Sequence, residues 1–572
     1  MAQIDQVLQE IFGYPSFRQG QRAAIDALLS GRDVQVLMPT GGGKSLCYQI
    51  PAIVQRALGK GPTIVISPLI ALIDDQVDSL RRVGVDALSI HSAQTPDERR
   101  ANERRIGDAT LVYLSPERFG SERFRRVVRA ADPSFVVVDE AHCISEWGHD
   151  FRPAYRRLCL LKEELAVPTM ALTATATRRV LEDIAQNLEL RRPALVETPF
   201  HRPNLEFGVE HHRGNKARSA RLLELLEELD LGRDVARGRV VVYATSRKRA
   251  KEMATELKGA GYRADYYHAG RTDGARERVL QRFDEGNRPI LVATCAFGMG
   301  IDYPDIRLVC HVQAPLSLEA YYQEAGRAGR DGGSSRCVLL YSAIDGRLQS
   351  MIRKREPNAV ADETWRALTD YVFSLRCRQQ HFRAHFTGDS GEACGICDVC
   401  SSSSEVASMV GTTRARTSRE RREREVKQAA EREVELEAAQ LEQIVCFIDA
   451  LRRPLGRRYV AQGLRGSKGR AVVRKRLDSN PAYGTLRGIP ELAIFAGIDR
   501  LLSAGRLVPK GKKYPTLWIA DKPVRPPRGT ASSGSARRSS RSGCSSGHAR
   551  TCGGSGARTC RRSRSPARTS PW

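Results

Sequence analysis

Short apolar runs alternate with longer amphipathic stretches through the first 200 residues. Residues 34–38, 63–67, 110–114, 135–138 and 169–172 are dense in Val, Ile and Leu and are flanked by turn residues. Runs of that length and continuity predict strands buried on both faces, and the helix-length segments between them predict a parallel sheet. The pattern restarts at residue 239. Residues 239–243, 263–267, 290–292, 308–312 and 337–341 form the second set. The expected fold is therefore α/β, with two consecutive open sheets.

Beyond the second set the period changes. Residues 360–400 read as helical and end in a cluster of cysteines. Residues 401–413 are Ser-rich and read as a linker, and 414–440 alternate Arg and Glu with few aliphatics, which fits a solvated charged helix or a flexible connector. Apolar periodicity returns in a small domain, with helices expected at 441–451, 459–464 and 490–503 and a strand pair at 506–509 and 516–520. The tip between those strands is Lys510-Gly511-Lys512-Lys513-Tyr514. No internal repeat is present. The expected divisions are 1–200 and 201–350 for the two sheet domains, 351–403 for the cysteine-bearing segment, 404–440 for the charged linker, 441–521 for the small domain and 522–572 for a tail.

Charge narrows the partners. The 572 residues carry 92 Lys and Arg against 66 Asp and Glu, a net +26, which favours a polyanion such as nucleic acid. Residues 522–572 hold 12 of the basic residues and no acid, with almost no aliphatic side chains. Such a segment buries too little to order itself and is expected to be disordered. It either holds DNA non-specifically or is inert. No apolar run approaches 18 residues, which excludes a spanning helix and a membrane partner. Asp5 and Glu10 precede the first basic residue, Arg18, unlike a secretory signal. The 14 Cys are spread along the chain, so a reducing compartment is expected. Arg outnumbers Lys 77 to 15, which associates with a GC-rich bacterial coding sequence. The expected location is cytoplasmic and nucleoid-associated.

Candidate chemistry begins after the first strand. Pro39-Thr40-Gly41-Gly42-Gly43-Lys44-Ser45 joins that strand to a helix. A glycine-rich turn there aims several N–H groups and a helix N-terminus at one point, where a phosphate fits. Lys44 is placed to reach terminal phosphates and Ser45 to ligate Mg²⁺. The strict pattern asks for Gly at the position of Met38, so the motif is formally incomplete. Residues 135–138 run into Asp139-Glu140-Ala141-His142. Asp139, at the carboxyl end of a buried strand, suits the Mg²⁺ shell, and Glu140 suits polarisation of an attacking water. Gln323-Glu-Ala-Gly-Arg327-Ala-Gly-Arg330-Asp-Gly332 carries two Arg three apart, on one face if helical. Such a pair stabilises charge developing on a transferred phosphoryl group. Trp147 and Phe151 offer stacking faces and Arg152 a phosphate contact.

Cys377, Cys394, Cys397 and Cys400 lie at spacings of 17, 3 and 3. Four thiolates suit a closed tetrahedral Zn²⁺ site, with a redox pair as the competing reading. Arg378 and Arg383, nearby, are expected over DNA. Cys47, Cys295 and Cys310 sit in apolar segments and are expected in the core.

Taken together, Phe12-Gly13-Tyr14 through Gln21, the segments 38–50, 67–70, 139–151, 171–176, 268–270, 296–302 and 323–332 resemble, in order, the motifs of RecQ-family DNA helicases of superfamily 2. The resemblance covers about residues 1–400. It implies two RecA-like lobes that close on ATP, an ATP- and Mg²⁺-dependent hydrolase, and 3′→5′ unwinding of duplex DNA in recombination and repair. It implies adenine recognition by Tyr14, Arg18 and Gln21, nucleotide contacts from Thr40, Gly41, Gly42, Gly43, Lys44, Ser45 and Gln323, and coupling of hydrolysis to lobe movement by Thr173-Ala174-Thr175. The stretch from Cys143 to Tyr155, with Trp147, His149, Phe151 and Arg152, is similar to the family's aromatic-rich loop that couples DNA to hydrolysis. The cysteine spacing resembles the family's zinc subdomain. The small domain resembles a winged helix whose Tyr514 is either a strand-separating wedge or an ordinary turn residue. Two positions depart from common members, Ala325 for Thr and Tyr303 for Lys. The helicase-and-RNaseD-type C-terminal domain of many members has no counterpart, and the tail stands in its place. Expected partners are single-stranded and forked duplex DNA, with single-strand-binding or recombination proteins. A DNA-stimulated translocase that does not separate strands is the alternative.

Overall fold

The computed structural model describes residues 2–148, 151–298, 303–355, 359–511 and 515–520. His149, Met299 to Asp302, Tyr514 and the tail 522–572 lie outside the described residues. The chain divides after Glu425 into two compact units.

The first unit holds two parallel sheets. Seven strands, β1 (Val34–Leu37), β2 (Thr63–Ile66), β3 (Ala87–Ile90), β4 (Leu111–Leu114), β5 (Phe135–Val138), β6 (Thr169–Thr173) and β7 (Ala194–Glu197), pair in the order β3-β4-β2-β5-β6-β1-β7. Six more, β8 (Leu205–His211), β9 (Arg239–Tyr243), β10 (Ala264–Tyr267), β11 (Ile290–Ala293), β12 (Ile306–His311) and β13 (Ser335–Tyr341), pair in the order β10-β11-β9-β12-β13-β8. Strand residues alternate between faces. Ile64 and Ile66 pack into one core layer and Val65 into the other, and Val136 and Val138 oppose Phe135 and Val137 in the same way.

Three of these strands escape the hydrophobic runs. β3 is interrupted by Ser89, β7 is a half-exposed edge, and β8 alternates buried and half-buried positions because it too closes a sheet edge. The order of the first sheet has a consequence for chemistry. β5, β6 and β1 are adjacent and parallel, so the segments leaving their carboxyl ends lie side by side. Those segments carry Lys44, Asp139-Glu140 and Thr173-Ala174-Thr175.

Helices Ala359–Val372 and Arg378–Thr387 pack against the second sheet, with Phe382 and Phe386 buried. The stretch expected as a Ser-rich linker is instead the start of a 31-residue helix, Ser403–Glu433. Val406 and Val410, four apart, are buried on one face, and this anchoring overrides the weak helix propensity of the serines.

The second unit packs helices Ala438–Asp449, Arg457–Leu464 and Glu491–Ser503 against an antiparallel hairpin, β14 (Leu507–Lys510) and β15 (Thr516–Ile519). Its core includes Phe447, Leu464, Ile494, Ile498, Leu507 and Leu517. Gly463 is required here, because a Cβ would stand 2.1 Å from the Phe447 ring.

Candidate nucleotide pocket and cysteine centre

A cavity of about 650 Å³ opens between the two sheets of the first unit. Its volume falls within the range of small-molecule sites. Thr40, Gly41, Gly43, Lys44 and Ser45 line it with Asp139 and Glu140. Tyr14, Arg18 and Gln21 border one side, and Gln323, Arg327 and Arg330 come from the second sheet's domain.

The phosphate loop is built around its glycines. Gly41 and Gly43 take φ of 84° and 77°, which side chains rarely adopt. A Cβ on Gly43 would meet Gln21 at 2.4 Å. Met38, where the strict motif has Gly, is buried, and its side chain packs against Gly42, where a Cβ would stand 2.6 Å from Met38 Cγ; its carbonyl accepts from Lys44 Nζ (3.2 Å) and its N–H donates to Thr173 O (3.1 Å). The loop therefore tolerates a large side chain at that position.

The adenine candidates divide. Tyr14 is 48% exposed, with its ring open to solvent at the pocket. Gln21 is buried and its amide serves the loop: Nε2 donates to Gly43 O (3.0 Å) and Gly42 O (3.3 Å), while Oε1 accepts the Arg18 N–H (2.8 Å). The Arg18 guanidinium bonds Gly41 O.

The ionisable groups are strongly perturbed. Burial pushes the Lys44 ammonium below the ordinary lysine range; Glu140 and Asp139 pull it back, and Arg330 adds to the push. Burial, then the neighbouring Glu140 charge, raises Asp139 to about 7, while Lys44 and the Glu140 N–H oppose the shift. A cation beside Asp139 offsets both causes. The Ser45 hydroxyl and the Asp139 carboxylate are hard oxygen donors of the kind Mg²⁺ prefers, and both line the cavity. The donor set fits that ion.

Glu140 is held at φ 48°, ψ 47°, an uncommon conformation for a side-chain-bearing residue. The backbone turn brings its N–H onto Asp139 Oδ1 (2.9 Å). Behind it, His142 Nδ1 lies 3.4 Å from the Glu140 carboxylate and 3.0 Å from Thr173 Oγ1. Thr173 Oγ1 in turn donates to Thr175 O (3.1 Å) and accepts its N–H (3.3 Å). The acidic pair and the Thr-Ala-Thr segment thus share one buried network through His142. Sequence reading does not single out His142, because its partner comes from an adjacent strand.

The Arg pair does not share a helix face. Helix Leu318–Ala325 ends at Gly326, and Gly329 takes φ 55°, so Arg327 and Arg330 occupy the turn that follows. That turn lies against the phosphate loop. A Cβ on Gly326 would stand 3.6 Å from Thr40 Cβ, and one on Gly41 would stand 3.8 Å from Arg330 Cγ. Ala325 is fully buried. Tyr303 packs edge-on against Phe283 (4.8 Å), with the Arg239 guanidinium 5.1 Å from its ring.

The aromatic-rich loop is tied to the acidic segment. The Tyr155 hydroxyl donates to Asp139 O (3.0 Å), Arg152 N–H to Cys143 O (2.8 Å) and Arg152 Nη1 to Pro68 O (2.6 Å). Trp147 is half-buried, with the Arg179 guanidinium 3.0 Å from its ring centroid; Arg156 lies 5.1 Å from the Phe151 ring. One face of each ring is therefore covered by an arginine, and Arg152 is engaged with main chain.

The four cysteines converge. Their sulfurs all lie within 4.8 Å of one another, with Cys397 Sγ 3.9 Å from Cys377 Sγ and 3.5 Å from Cys400 Sγ. Zn–S bonds of about 2.3 Å in a tetrahedron require S···S edges of about 3.8 Å, so the donor set fits zinc. The Cys394 N–H donates to Cys377 Sγ (3.2 Å) and the Arg378 N–H to Cys397 Sγ (3.4 Å), the pattern that supports thiolates.

Arg378 is not on a DNA-facing surface. It is fully buried, paired twice with Asp398 (2.8 and 2.9 Å), and donates to Tyr371 O (2.7 Å). Asp398 Oδ2 also accepts the Val209 N–H (2.9 Å), which fastens the cysteine segment to β8. Arg383 pairs with Asp389. Of the cysteines expected in the core, Cys47 and Cys310 are buried, but Cys295 is exposed, because it follows β11 in a loop.

Among the described residues no helix is long and apolar enough to cross a membrane. Residues 18–184 match the DEAD/DEAH box helicase family, 220–332 the helicase conserved C-terminal domain and 432–526 the RQC domain. The chain is 40% identical over 359 residues to a probable ATP-dependent DNA helicase RecS of Bacillus subtilis, covering 62% of this chain and 70% of that one. A solved DUF1998 helicase, MrfA, bound to DNA, shares the fold at 19% identity and TM-score 0.50, over 64% of this chain and 51% of its own. The ATP-dependent DNA helicase RecQ of Bacillus subtilis is 37% identical over 527 residues, 90% of this chain and 82% of that protein. With that identity sustained through both sheets and the small C-terminal unit, the chain belongs to the RecQ family of ATP-dependent DNA helicases.

Proposed function

We propose that the chain is an ATP-dependent DNA helicase that hydrolyses ATP in the cavity between its two sheets and uses the closure and reopening of those lobes to step along one DNA strand and part the duplex. The observation that carries this reading is the approach of the Gly326–Arg330 turn to the phosphate loop, with Gly326 against Thr40 and Arg330 over Gly41.

Each residue then has a task. Lys44 and the N–H groups of Gly41 to Ser45 hold the terminal phosphates, and Tyr14 stacks on the base. Ser45 and Asp139 hold Mg²⁺, which when bound neutralises phosphate charge. Glu140 orients the attacking water and accepts its proton. Arg327 and Arg330 stabilise the charge that develops on the γ-phosphoryl, an effect of about 10³–10⁵ in rate for arginines so placed. The His142–Thr173–Thr175 network carries the state of Glu140 to the segment between strand and helix. Trp147 and Phe151 take bases once their arginine partners exchange for phosphate, and the Tyr155 and Arg152 ties pass that event to Asp139. Cys377, Cys394, Cys397 and Cys400 hold a structural zinc that keeps helix Arg378–Thr387 seated on the second lobe.

Family membership supports 3′→5′ movement on single-stranded DNA, forked duplex as substrate, a role in recombination and repair, and single-strand-binding or recombination proteins as partners. A forked-duplex assay tests the reading. Strand release that requires ATP and Mg²⁺ is expected. Hydrolysis stimulated by single-stranded DNA without strand release contradicts it and favours a translocase.

A further inference from the structure

The chain passes from the first sheet to the second between β7 and β8, and Arg202 lies in that crossover. Its guanidinium is engaged by main-chain carbonyls of both lobes. Nη1 donates to Thr40 O in the phosphate loop (3.1 Å) and to Gly326 O (3.4 Å), and Nη2 donates to Ala328 O (3.1 Å) and Gly329 O (3.0 Å). The last three carbonyls bracket Arg327 and precede Arg330. The main chain of Arg202 is gripped in turn by Gln379, whose Oε1 accepts the Arg202 N–H (2.7 Å) and whose Nε2 donates to its carbonyl (2.9 Å). Gln379 is buried on the helix that follows Cys377. One side chain therefore joins the phosphate loop to the arginine turn, and its backbone is fixed by the cysteine-bearing segment.

Arg202 does not line the nucleotide cavity. It borders an adjoining space of about 380 Å³ next to Gly41 and Gly42, which shares Thr40, Gly41 and Arg330 with that cavity. Its contacts are made to backbone, and a planar fork of five N–H groups is what lets one side chain bridge two strands of carbonyls; an ammonium is a point donor without that geometry.

We propose that Arg202 is a positioning residue for hydrolysis, holding the phosphate loop and the arginine turn at the spacing from which Arg327 and Arg330 meet the developing phosphoryl charge. The proposal rests on the assignment of the interlobe cavity as the ATPase site. Misplacement of a catalytic group by about 1 Å costs on the order of 10²-fold in rate. The groups that bind ATP in the ground state come mostly from the first lobe, so loss of the bridge acts on turnover rather than on binding.

The test is a double-mutant cycle on the full chain, with Arg202→Lys and Arg202→Gln made alone and in an Arg330→Ala background. Steady-state ATP hydrolysis is measured at saturating single-stranded DNA, together with KM for ATP and DNA affinity. Both single variants are expected to lower kcat about 10- to 100-fold, with KM and DNA affinity within about threefold of wild type. In the Arg330→Ala background the same changes are expected to lower kcat by less than about threefold. Fully multiplicative losses overturn the proposal. So does a fall in ATP or DNA binding that matches the fall in kcat, since that marks a general structural role. A kcat near wild type in the Arg202 variants, with Arg330→Ala impaired, overturns the proposal alone. Wild-type turnover in Arg330→Ala overturns the pocket assignment beneath it.

Discussion

The hydroxyl of Tyr155 donates to the main-chain carbonyl of Asp139 at 3.0 Å, joining the far end of the aromatic-rich loop to the acidic pair. Tyr155 is fully buried and Asp139 half-buried, so water replaces the lost bond poorly. Tyr155→Phe leaves the carbonyl unsatisfied and is expected to cost about 1–3 kcal/mol of stability. Its larger effect is expected on coupling: hydrolysis without DNA changes little, and stimulation by single-stranded DNA falls at least several-fold. Steady-state assays with and without an oligonucleotide measure both quantities.

Lys44 is half-buried, holds Met38 O and faces the acidic pair. Lys44→Ala removes the cation proposed to meet the terminal phosphates. Hydrolysis is expected to fall below detection while single-stranded DNA affinity stays within about threefold, since the aromatic-rich loop proposed to take bases is untouched. Fluorescence anisotropy with a labelled oligonucleotide, beside a phosphate-release assay, separates the two.

The cysteine centre makes a compositional claim. Elemental analysis is expected to find about one zinc per chain. Cys397→Ser removes the sulfur that lies 3.9 and 3.5 Å from two others and is expected to release the metal and loosen helix Arg378–Thr387. Asp398→Ala, which leaves every sulfur in place, strands the fully buried Arg378 and is expected to cost about 3–5 kcal/mol with zinc retained. Thermal unfolding with metal analysis of each variant distinguishes these outcomes.

Two histidines set an acid limit. Burial lowers His211 to about 4, with Arg378, Arg416 and His212 adding to the shift against a hydrogen bond with the Val372 backbone. Burial also lowers His381 to about 4, helped by His385, Arg378 and Arg376. The fold holds both rings neutral, whereas the unfolded chain protonates them near 6.5. Their contribution is therefore complete above pH 6.5 and is lost as pH falls toward 4, at no more than about 1.4 kcal/mol per pH unit and site. Urea midpoints measured at pH 7 and pH 5 are expected to drop on acidification, and to drop less in His211→Leu and His381→Leu.

Much of this arrangement is legible in the order of residues. Five strands of each sheet announce themselves as apolar runs, and a strand, a glycine turn and a helix with Lys44-Ser45 define the loop without further information. Other features depend on partners far away in the chain. The Val209 N–H meets Asp398 across 189 residues, so the same arginine that looks like a surface cation, Arg378, is the buried half of an ion pair. The Ser-rich start of helix Ser403–Glu433 is helical because two valines find a core, which composition does not reveal. The Arg327–Arg330 turn is the instructive case. The glycines at 326 and 329 already argue against a helix face, and the two cations reach the cavity from a turn instead. Met38 shows the converse, a formal break in the motif that the loop accommodates because its side chain packs where Gly42 has no Cβ.

The seam between the lobes is most directly tested by replacing both cations that the second lobe contributes. In Arg327→Ala/Arg330→Ala, ATP hydrolysis at saturating single-stranded DNA is measured beside equilibrium binding of a fluorescent ATP analogue. The expected result is a loss of at least about 10³-fold in kcat with nucleotide binding retained, because those side chains act on the transition state and the first lobe holds the ground state. Turnover within tenfold of wild type contradicts a nucleotide site completed across the two sheets.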